Sequence, residues 1–131
     1  AVAEATVPKF TVIVRKAYGA GYYAMCGKAF DPDLIVGWPK AEISVMGAEG
    51  MISIFAKKML DAAEPKERQE IITNMANTIK PYLSAYKPAS LAYIDDIIDP
   101  RETRSVLFRA LEFTKDKAIY RHPRKHGVYP V

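Results

Sequence analysis

The sequence predicts an α/β domain, because twice along the chain an apolar run ends in small residues and then becomes helical. The first run, residues 10–14, leads into the turn at residues 18–21. The second, residues 43–46, ends in Gly47-Ala48-Glu49-Gly50, and a helix is predicted from Met51 to about Leu60. Short, β-branched and nearly continuous apolar runs are typical of strands that are covered on both faces. A long helical segment follows both units.

The remaining elements of the first half follow from turn chemistry. Residues 1–5 favour a helix but have no cap, so they are interpreted as the last turn of a helix. Phe30-Asp31-Pro32-Asp33 predicts a turn, since Asp and Pro both favour turn positions. Residues 34–38 predict a second buried strand, which Pro39 ends.

Helical periodicity dominates after residue 61. Pro65 suits a first helical position, and Ile71, Met75 and Ile79 recur on one face with Ile72, Ala76 and Leu83. We expect this apolar stripe, or the sheet edge before Val7, to be buried against another segment or subunit.

Two helix starts are predicted further along the chain. Ser90 can cap a short helix that runs through residue 98. Asp99 with Pro100 and Glu102 gives a cap, a proline and a glutamate three residues after the cap, which predicts a second helix start. The buried face of that second helix is predicted to comprise Val106, Leu107, Ala110 and Leu111.

Length and composition are those of one globular domain. The chain has 131 residues, half of them hydrophobic and a quarter charged. We divide it into a strand, turn and helix core (1–60), a helical region (61–118) and a basic tail (119–131). No segment approaches the roughly 20 apolar residues of a membrane span, and no basic-then-apolar leader is expected. The single Cys26 excludes an internal disulfide, so a reducing, cytoplasmic location is expected.

The net charge of +4 is concentrated near the C-terminus, where residues 101–131 contain eight Lys/Arg and three acids. A basic segment can bind nucleic acid. No aromatic and basic interleaving or nucleic-acid motif accompanies this one, so a solvated helix face and a tail lying on a neighbouring subunit are the favoured interpretation.

The candidate active site is the turn within residues 7–28 (VPKFTVIVRKAYGAGYYAMCGK). A buried strand, a turn of small residues and a helix start leave several backbone N–H groups unpaired and pointing one way. Because they lie at the positive end of the helix dipole, they can stabilise an anion or a developing oxyanion. Chemistry by backbone amides is therefore the favoured hypothesis.

Side-chain chemistry is less well supported. Gly19-Ala20-Gly21-Tyr22-Tyr23-Ala24 matches the loose dinucleotide fingerprint, but two tyrosines crowd the turn and no acidic residue follows at the required distance. His122 and His126 are spaced i, i+4, but Pro123 and Gly127 disfavour a helix there, so no metal site is predicted. The pair Asp95-Asp96 is interpreted as solvated and structural. No serine lies on an elbow turn that would suit a catalytic triad.

Four stretches make the chain recognisable as a member of a known family. Residues 7–22, residues 38–47 (WPKAEISVMG), residues 94–104 (IDDIIDPRETR) and residues 124–127 (RKHG) resemble the carboxyltransferase (β) subunits of biotin-dependent acyl-CoA carboxylases. The resemblance extends over nearly the whole chain in the right order, and motifs of this length are specific. It covers only the last part of the second of the family's two homologous halves.

The resemblance implies a crotonase-like fold, a spiral of strand-strand-helix units with added helices. It implies transfer of a carboxyl group from carboxybiotin on a carrier protein to the α-carbon of a short acyl-CoA thioester. In the family, backbone amides form a second oxyanion hole for the ureido oxygen of biotin. Carried over, these are the amides of Ala20 and Gly21. Tyr22 and Tyr23 would line the pocket beside Gly19, and Met46, Gly47 and Ala48 would form its far wall.

The turn also bears on the acyl group. Relatives that carboxylate propionyl-CoA usually have Gly-Gly-Ala-Tyr-Asp there, whereas this chain has Gly-Ala-Gly-Tyr-Tyr at residues 19–23. This form, with Met25-Cys26-Gly27, is more similar to methylcrotonyl- or geranyl-CoA carboxylase subunits, so the acyl preference stays open.

The resemblance also implies partners. The first oxyanion hole and most of the CoA site are expected on an N-terminal half or on a homologous chain. Biotin carboxylase, biotin carrier protein and further copies in a homo-oligomer are the other expected partners, with neither nucleic acid nor membrane among them. A non-catalytic role in assembly and a nucleotide-binding module are the two alternatives.

Overall fold

The computed structural model describes residues 2–120 and shows parallel strands followed by helices. The strands are β1 (Phe10–Ile13), β2 (Lys16–Tyr18), β3 (Leu34–Gly37), β4 (Glu42–Ser44) and β5 (Asp96–Ile97). The helices are α1 (Ala20–Ala24), α2 (Ala48–Phe55), α3 (Lys57–Ala62), α4 (Pro65–Leu83), α5 (Tyr86–Ser90) and α6 (Thr103–Thr114). Short 3₁₀ turns occupy Val2–Glu4, Lys28–Phe30 and Pro100–Glu102.

The strands form two small parallel sheets. One sheet has the order β1-β3-β5, and the other consists of β2 and β4. The chain bends between β1 and β2 and again between β3 and β4, so each pair of consecutive strands passes from the first sheet to the second. Backbone hydrogen bonds hold the two bends together, from the Trp38 N–H to the Ile13 carbonyl (3.0 Å) and from the Glu42 N–H to the Arg15 carbonyl (2.6 Å).

Two apolar clusters stabilise the fold. The first, centred on Ile35 and Ile94, packs the first sheet against the start of α5. The second places the predicted stripe Ile71, Met75 and Ile79 of α4 against α2 and α3. The sequence leads us to expect this stripe to be buried against another segment or subunit. It packs against another segment of the same chain.

Several local predictions need correction. Residues 16–18 form a strand that the sequence did not indicate. The helix predicted to end near Leu60 is two helices, broken at Ala56. Residues 91–98 are not helical, because β3 offers a free edge to which β5 adds: the Asp95 N–H donates to the Ile35 carbonyl (2.7 Å) and the Ile98 N–H to the Gly37 carbonyl (2.9 Å). The segment 61–118 thus contains a strand.

The predicted start at Asp99 is confirmed, with a 3₁₀ turn leading into α6. The Asp99 carboxylate accepts a hydrogen bond from the Arg101 N–H at 2.9 Å. The predicted buried face of α6 is only partly covered, and Leu111 is half-exposed. The basic tail beyond Tyr120, with both histidines, lies outside the described residues. Within residues 2–120, no helix is both long and apolar enough to cross a membrane.

Candidate active site

Gly19 makes the turn between β2 and α1. Its backbone angles, φ 48° and ψ −124°, lie in a region that glycine alone adopts readily. The Gly19 N–H donates to the Ser44 carbonyl at 2.9 Å, and a Cβ on Gly19 would lie 2.8 Å from the Val45 carbonyl oxygen. The turn is therefore held tightly against the end of β4, and only a residue without a side chain fits there.

The helix start after Gly19 presents two free donors. The N–H groups of Tyr22 and Tyr23 donate to the Gly19 carbonyl at 3.1 and 3.4 Å. By contrast, the N–H groups of Ala20 and Gly21 have no acceptor anywhere in the described part of the chain. Both residues are exposed, and the first N–H groups of a helix carry its partial positive charge. An oxygen bearing negative charge could therefore accept two hydrogen bonds at this position.

An apolar cavity of about 330 Å³ lies beside the turn. Its lining includes Gly19, Tyr23, Val45, Tyr82, Leu91 and Tyr93. Of the described residues that line it, Lys87 alone is charged. The cavity is suited to an uncharged, apolar group beside Gly19 and Tyr23, whereas Gly21 lines a separate cavity of about 530 Å³ with residues of β1 and β2.

The two tyrosines of α1 have different environments. The Tyr22 hydroxyl donates to the Tyr93 carbonyl (2.9 Å) and accepts from the Lys28 N–H (3.1 Å), while its ring fills the space in which a side chain on Gly27 would lie. Burial raises the pKa of the Tyr22 hydroxyl. Tyr23 is half-exposed, with its ring edge-on to that of Tyr22. Tyr22 thus anchors α1, whereas Tyr23 is available to a ligand.

The three residues predicted for the far wall, Met46, Gly47 and Ala48, do not line this cavity. Gly47 and Ala48 line a separate cleft of about 430 Å³ that faces α4, and Met46 packs near Gly50. Gly47 caps α2, and α2 packs against α4. The structure brings Gly19, Tyr22 and Tyr23 together around one cavity, and Ile43 and Val45 provide its wall on the β4 side.

Tyr18 connects the turn to this second cleft. Its hydroxyl donates to the Glu42 carboxylate, and its ring lies where a Cβ on Gly47 would be only 3.1 Å away. Burial, that hydrogen bond and the negative charge of Glu42 together raise the pKa of Tyr18 to about 12. The hydroxyl therefore stays protonated at neutral pH and serves as a donor.

Sequence reasoning missed most of the cavity. Tyr82, Leu91 and Tyr93 belong to α4 and to the segment after α5, more than 50 residues from the turn. No spacing signal links such distant positions, so only the tertiary structure identifies them.

Acidic side chains near the site have structural partners. The Asp95 carboxylate accepts from the Ile35 N–H (2.8 Å) and pairs with Lys28 (3.1 Å), which fixes β5 beside β3. Within residues 2–120, no group of three His, Cys, Asp or Glu residues is arranged to hold a metal ion.

Comparison with known proteins gives consistent matches along the chain. The family model described as "Carboxyl transferase domain" matches residues 1–129. The methylmalonyl-CoA carboxyltransferase 12S subunit of Propionibacterium freudenreichii is 42% identical over 99% of this chain and 25% of its own length. A putative propionyl-CoA carboxylase beta chain of Bacillus subtilis is 45% identical over 100% of this chain and 26% of its own.

Solved structures agree. The hexameric transcarboxylase 12S with methylmalonyl-CoA bound superimposes with a TM-score of 0.82, at 38% identity, over 99% of this chain and 25% of that one. The geranyl-CoA carboxylase beta subunit of P. aeruginosa gives a TM-score of 0.75 at 31% identity, over 99% and 28%.

The chain spans about a quarter of the length of the relatives it matches. Its fold is the α/β, crotonase-like fold that the resemblance implies. On the match over residues 1–129 and these identities, the chain belongs to the carboxyl transferase domain family.

Proposed function

We propose that this chain supplies the biotin side of a carboxyltransferase active site, in an enzyme that transfers a carboxyl group from carboxybiotin to the α-carbon of a short acyl-CoA. The observation that carries the proposal is the pair of free, exposed N–H groups at Ala20 and Gly21. The names of the relatives, a methylmalonyl-CoA carboxyltransferase and an acyl-CoA carboxylase beta chain, support carboxyl transfer on acyl-CoA as the reaction class.

The chemistry requires donors of this kind. When carboxybiotin is bound, it supplies the carboxyl group, and negative charge grows on its ureido oxygen as that group leaves. The N–H groups of Ala20 and Gly21 would donate to this oxygen. Gly19 holds both donors in place through its bond to Ser44, so little reorganisation is needed as the charge develops. Tyr23 and the apolar cavity would exclude water from one side of the reacting groups.

The site needs contributions from outside this chain. We propose that an N-terminal half or a homologous chain supplies the acyl-CoA side, and that biotin carboxylase and a biotin carrier protein complete the enzyme. A homo-oligomer fits the hexameric assembly described for transcarboxylase 12S. The 131-residue chain alone is accordingly expected to show no carboxyl transfer.

A role in assembly is a second candidate, because α6 presents Phe108, Leu111 and Phe113 to solvent. Such exposed apolar side chains are typical of contact surfaces. A role in assembly is compatible with a role in carboxyl transfer. A kinetic experiment on variants of the turn tests carboxyl transfer independently of assembly.

Ala20→Pro tests the proposed oxyanion hole in the complete enzyme. Ala20 is the first residue of α1, where proline is tolerated, so the substitution removes one N–H without breaking the helix. We expect kcat to fall by about 10²–10³, the usual effect of losing one oxyanion donor. Thermal unfolding is recorded alongside to detect any change in the fold.

Two variants serve as controls. Gly21→Ala keeps its N–H, and its added Cβ meets no atom within 4 Å, so kcat is expected to stay within about threefold. Tyr23→Phe should change the preference among acyl-CoA substrates more than the rate with the best one. A normally folded Ala20→Pro enzyme with near-full activity, beside an inactive Tyr23→Phe enzyme, would place the chemistry on the tyrosine and contradict the proposal.

A further inference from the structure

A further concave surface lies at the opposite end of β2 from the turn. It follows the two bends at which the strand pairs pass from one sheet to the other, and we call it the bend groove. Its volume is about 780 Å³, and its lining includes Arg15, Lys16, Trp38, Pro39, Lys40 and Lys80. The two bends and the C-terminal part of α4 therefore contribute jointly to this groove.

The cations of the bend groove are uncompensated. Arg15, Lys16, Lys40 and Lys80 are exposed, and within the described part of the chain none of them forms an ion pair. Glu42 is the one acid among the described lining residues, and its carboxylate accepts the Tyr18 hydroxyl. Four cations against one acid leave a net charge of +3 in one groove. Such a surface attracts an anionic ligand.

Apolar side chains line the groove together with the cations. Trp38, Pro39 and Val14 line it, and the Trp38 indole N–H donates to the Thr103 hydroxyl at 3.0 Å, which fixes the ring. Trp and Arg are both enriched in protein–protein interfaces, so Trp38 and Arg15 in one groove favour a protein partner.

The helix that meets the groove argues against a phosphate group. Phosphates bind best at helix N-termini, where N–H groups converge and the dipole is positive. Here Lys80 and Ser84 lie at the C-terminal end of α4, so this helix contributes no converging backbone N–H groups to the groove. The cations also come from three separate segments, so they suit several spaced carboxylates better than one compact dianion.

The groove is close to the proposed oxyanion hole. Lys16 begins β2 and Gly19 follows its last residue, so three residues of extended chain, about 10 Å, join the two sites. A partner docked in the groove would therefore deliver a tethered group to the turn.

We propose that the bend groove is the docking site for an acidic surface of the biotin carrier protein. This inference rests on the proposed function. The carrier must leave in every catalytic cycle, so its docking surface has to act without holding it tightly. Exposed charges meet this requirement, because they raise the rate of association more than the strength of the complex.

The test compares two forms of the same substrate with the complete enzyme. The double variant Arg15→Gln/Lys40→Gln is assayed with carboxylated carrier protein and with free carboxybiotin. We expect its KM for the carrier to rise about tenfold, with kcat nearly unchanged and the KM for free carboxybiotin within about twofold. Raising the salt concentration should increase the KM for the carrier in the wild-type enzyme and much less in the variant.

The matched control is Lys57→Gln/Lys58→Gln, which removes two exposed positive charges on α3, away from the groove. Its KM for the carrier should change less than twofold. Lys80→Gln is a second groove variant, which lies on another element and should raise the KM by several-fold. Binding of unbiotinylated carrier, measured directly by biolayer interferometry, should weaken in parallel with the rise in KM.

The possible negative results distinguish an error in the docking site from an error in the proposed function. If the groove variants bind the carrier with wild-type affinity, or if the KM for acyl-CoA rises instead, the docking site is wrong. Equal changes for carrier and free carboxybiotin would also overturn it. If the wild-type enzyme transfers a carboxyl group neither from the carboxylated carrier protein nor from free carboxybiotin, the proposed function is wrong. The binding measurements with unbiotinylated carrier would still test the docking site in that case.

Discussion

At the scale of single residues, two glycines two positions apart in the turn should differ in their tolerance of alanine. Gly19 has a positive φ, and its Cβ would lie 2.8 Å from the Val45 carbonyl oxygen. Gly21 has neither constraint. We expect Gly19→Ala to destabilise the domain by about 2 kcal/mol and to lower kcat, because the helix start that carries both free amides must move.

Thermal unfolding and kcat are measured for both the Gly19→Ala and the Gly21→Ala variants. Because both substitutions add one methyl group, the difference between them reports the conformational strain at Gly19. If both substitutions are tolerated equally, the turn is not held against β4 as described.

At the scale of elements, the packing of α2 against α4 should account for much of the stability of the helical part. Ile52 of α2 is fully buried against α4, whereas Ile54 on the opposite face of α2 is 59% exposed. Ile52→Ala is expected to cost about 2–5 kcal/mol, since it removes three buried carbons and leaves a cavity. Ile54→Ala deletes the same atoms and should cost less than about 1 kcal/mol. Chemical denaturation of the two variants measures the difference, and equal costs would show that the stripe of α4 is not packed as found.

At the scale of the whole molecule, one ion pair joins distant parts of the chain. Lys117, after α6, contacts Asp33, at the start of β3, at 2.6 Å, and both side chains are largely buried. The Asp33 carboxylate also accepts the Lys9 N–H at 2.8 Å. Burial by itself would raise the pKa of Asp33, but the hydrogen bonds from Lys117 and Lys9 outweigh it and lower the pKa.

This pair should make stability depend on pH in a defined direction. Because the pKa of Asp33 is lower in the folded state, its contribution is fully present above the unfolded-state value of about 3.9 and is lost as the pH falls through the folded-state pKa. Lys117→Met leaves a buried carboxylate without its cation and should cost about 1–3 kcal/mol at pH 7. The difference in Tm between wild type and variant should narrow below about pH 4. A constant difference from neutral to acidic pH would contradict this account.

The local features could be predicted from the sequence, because they depend on side-chain period and on backbone preferences over a few residues. The apolar runs predicted β1, β3 and β4, and the stripe from Ile71 to Ile79 with Pro65 predicted α4. Asp99 predicted the last helix start. The turn at Gly19 was recognised for the same reason, since small residues between a strand and a helix leave free amides whatever surrounds them.

Only the tertiary structure decided what surrounds that turn. Residues 16–18 are too short and too polar to signal a strand, and β5 forms only because β3 presents an unpaired edge. Tyr82, Leu91 and Tyr93 reach the cavity through the packing of helices far along the chain. Gly47 and Ala48 face α4 because α2, which begins there, packs against α4. Pockets are made by contacts between residues that are distant in sequence, and no local period encodes such contacts.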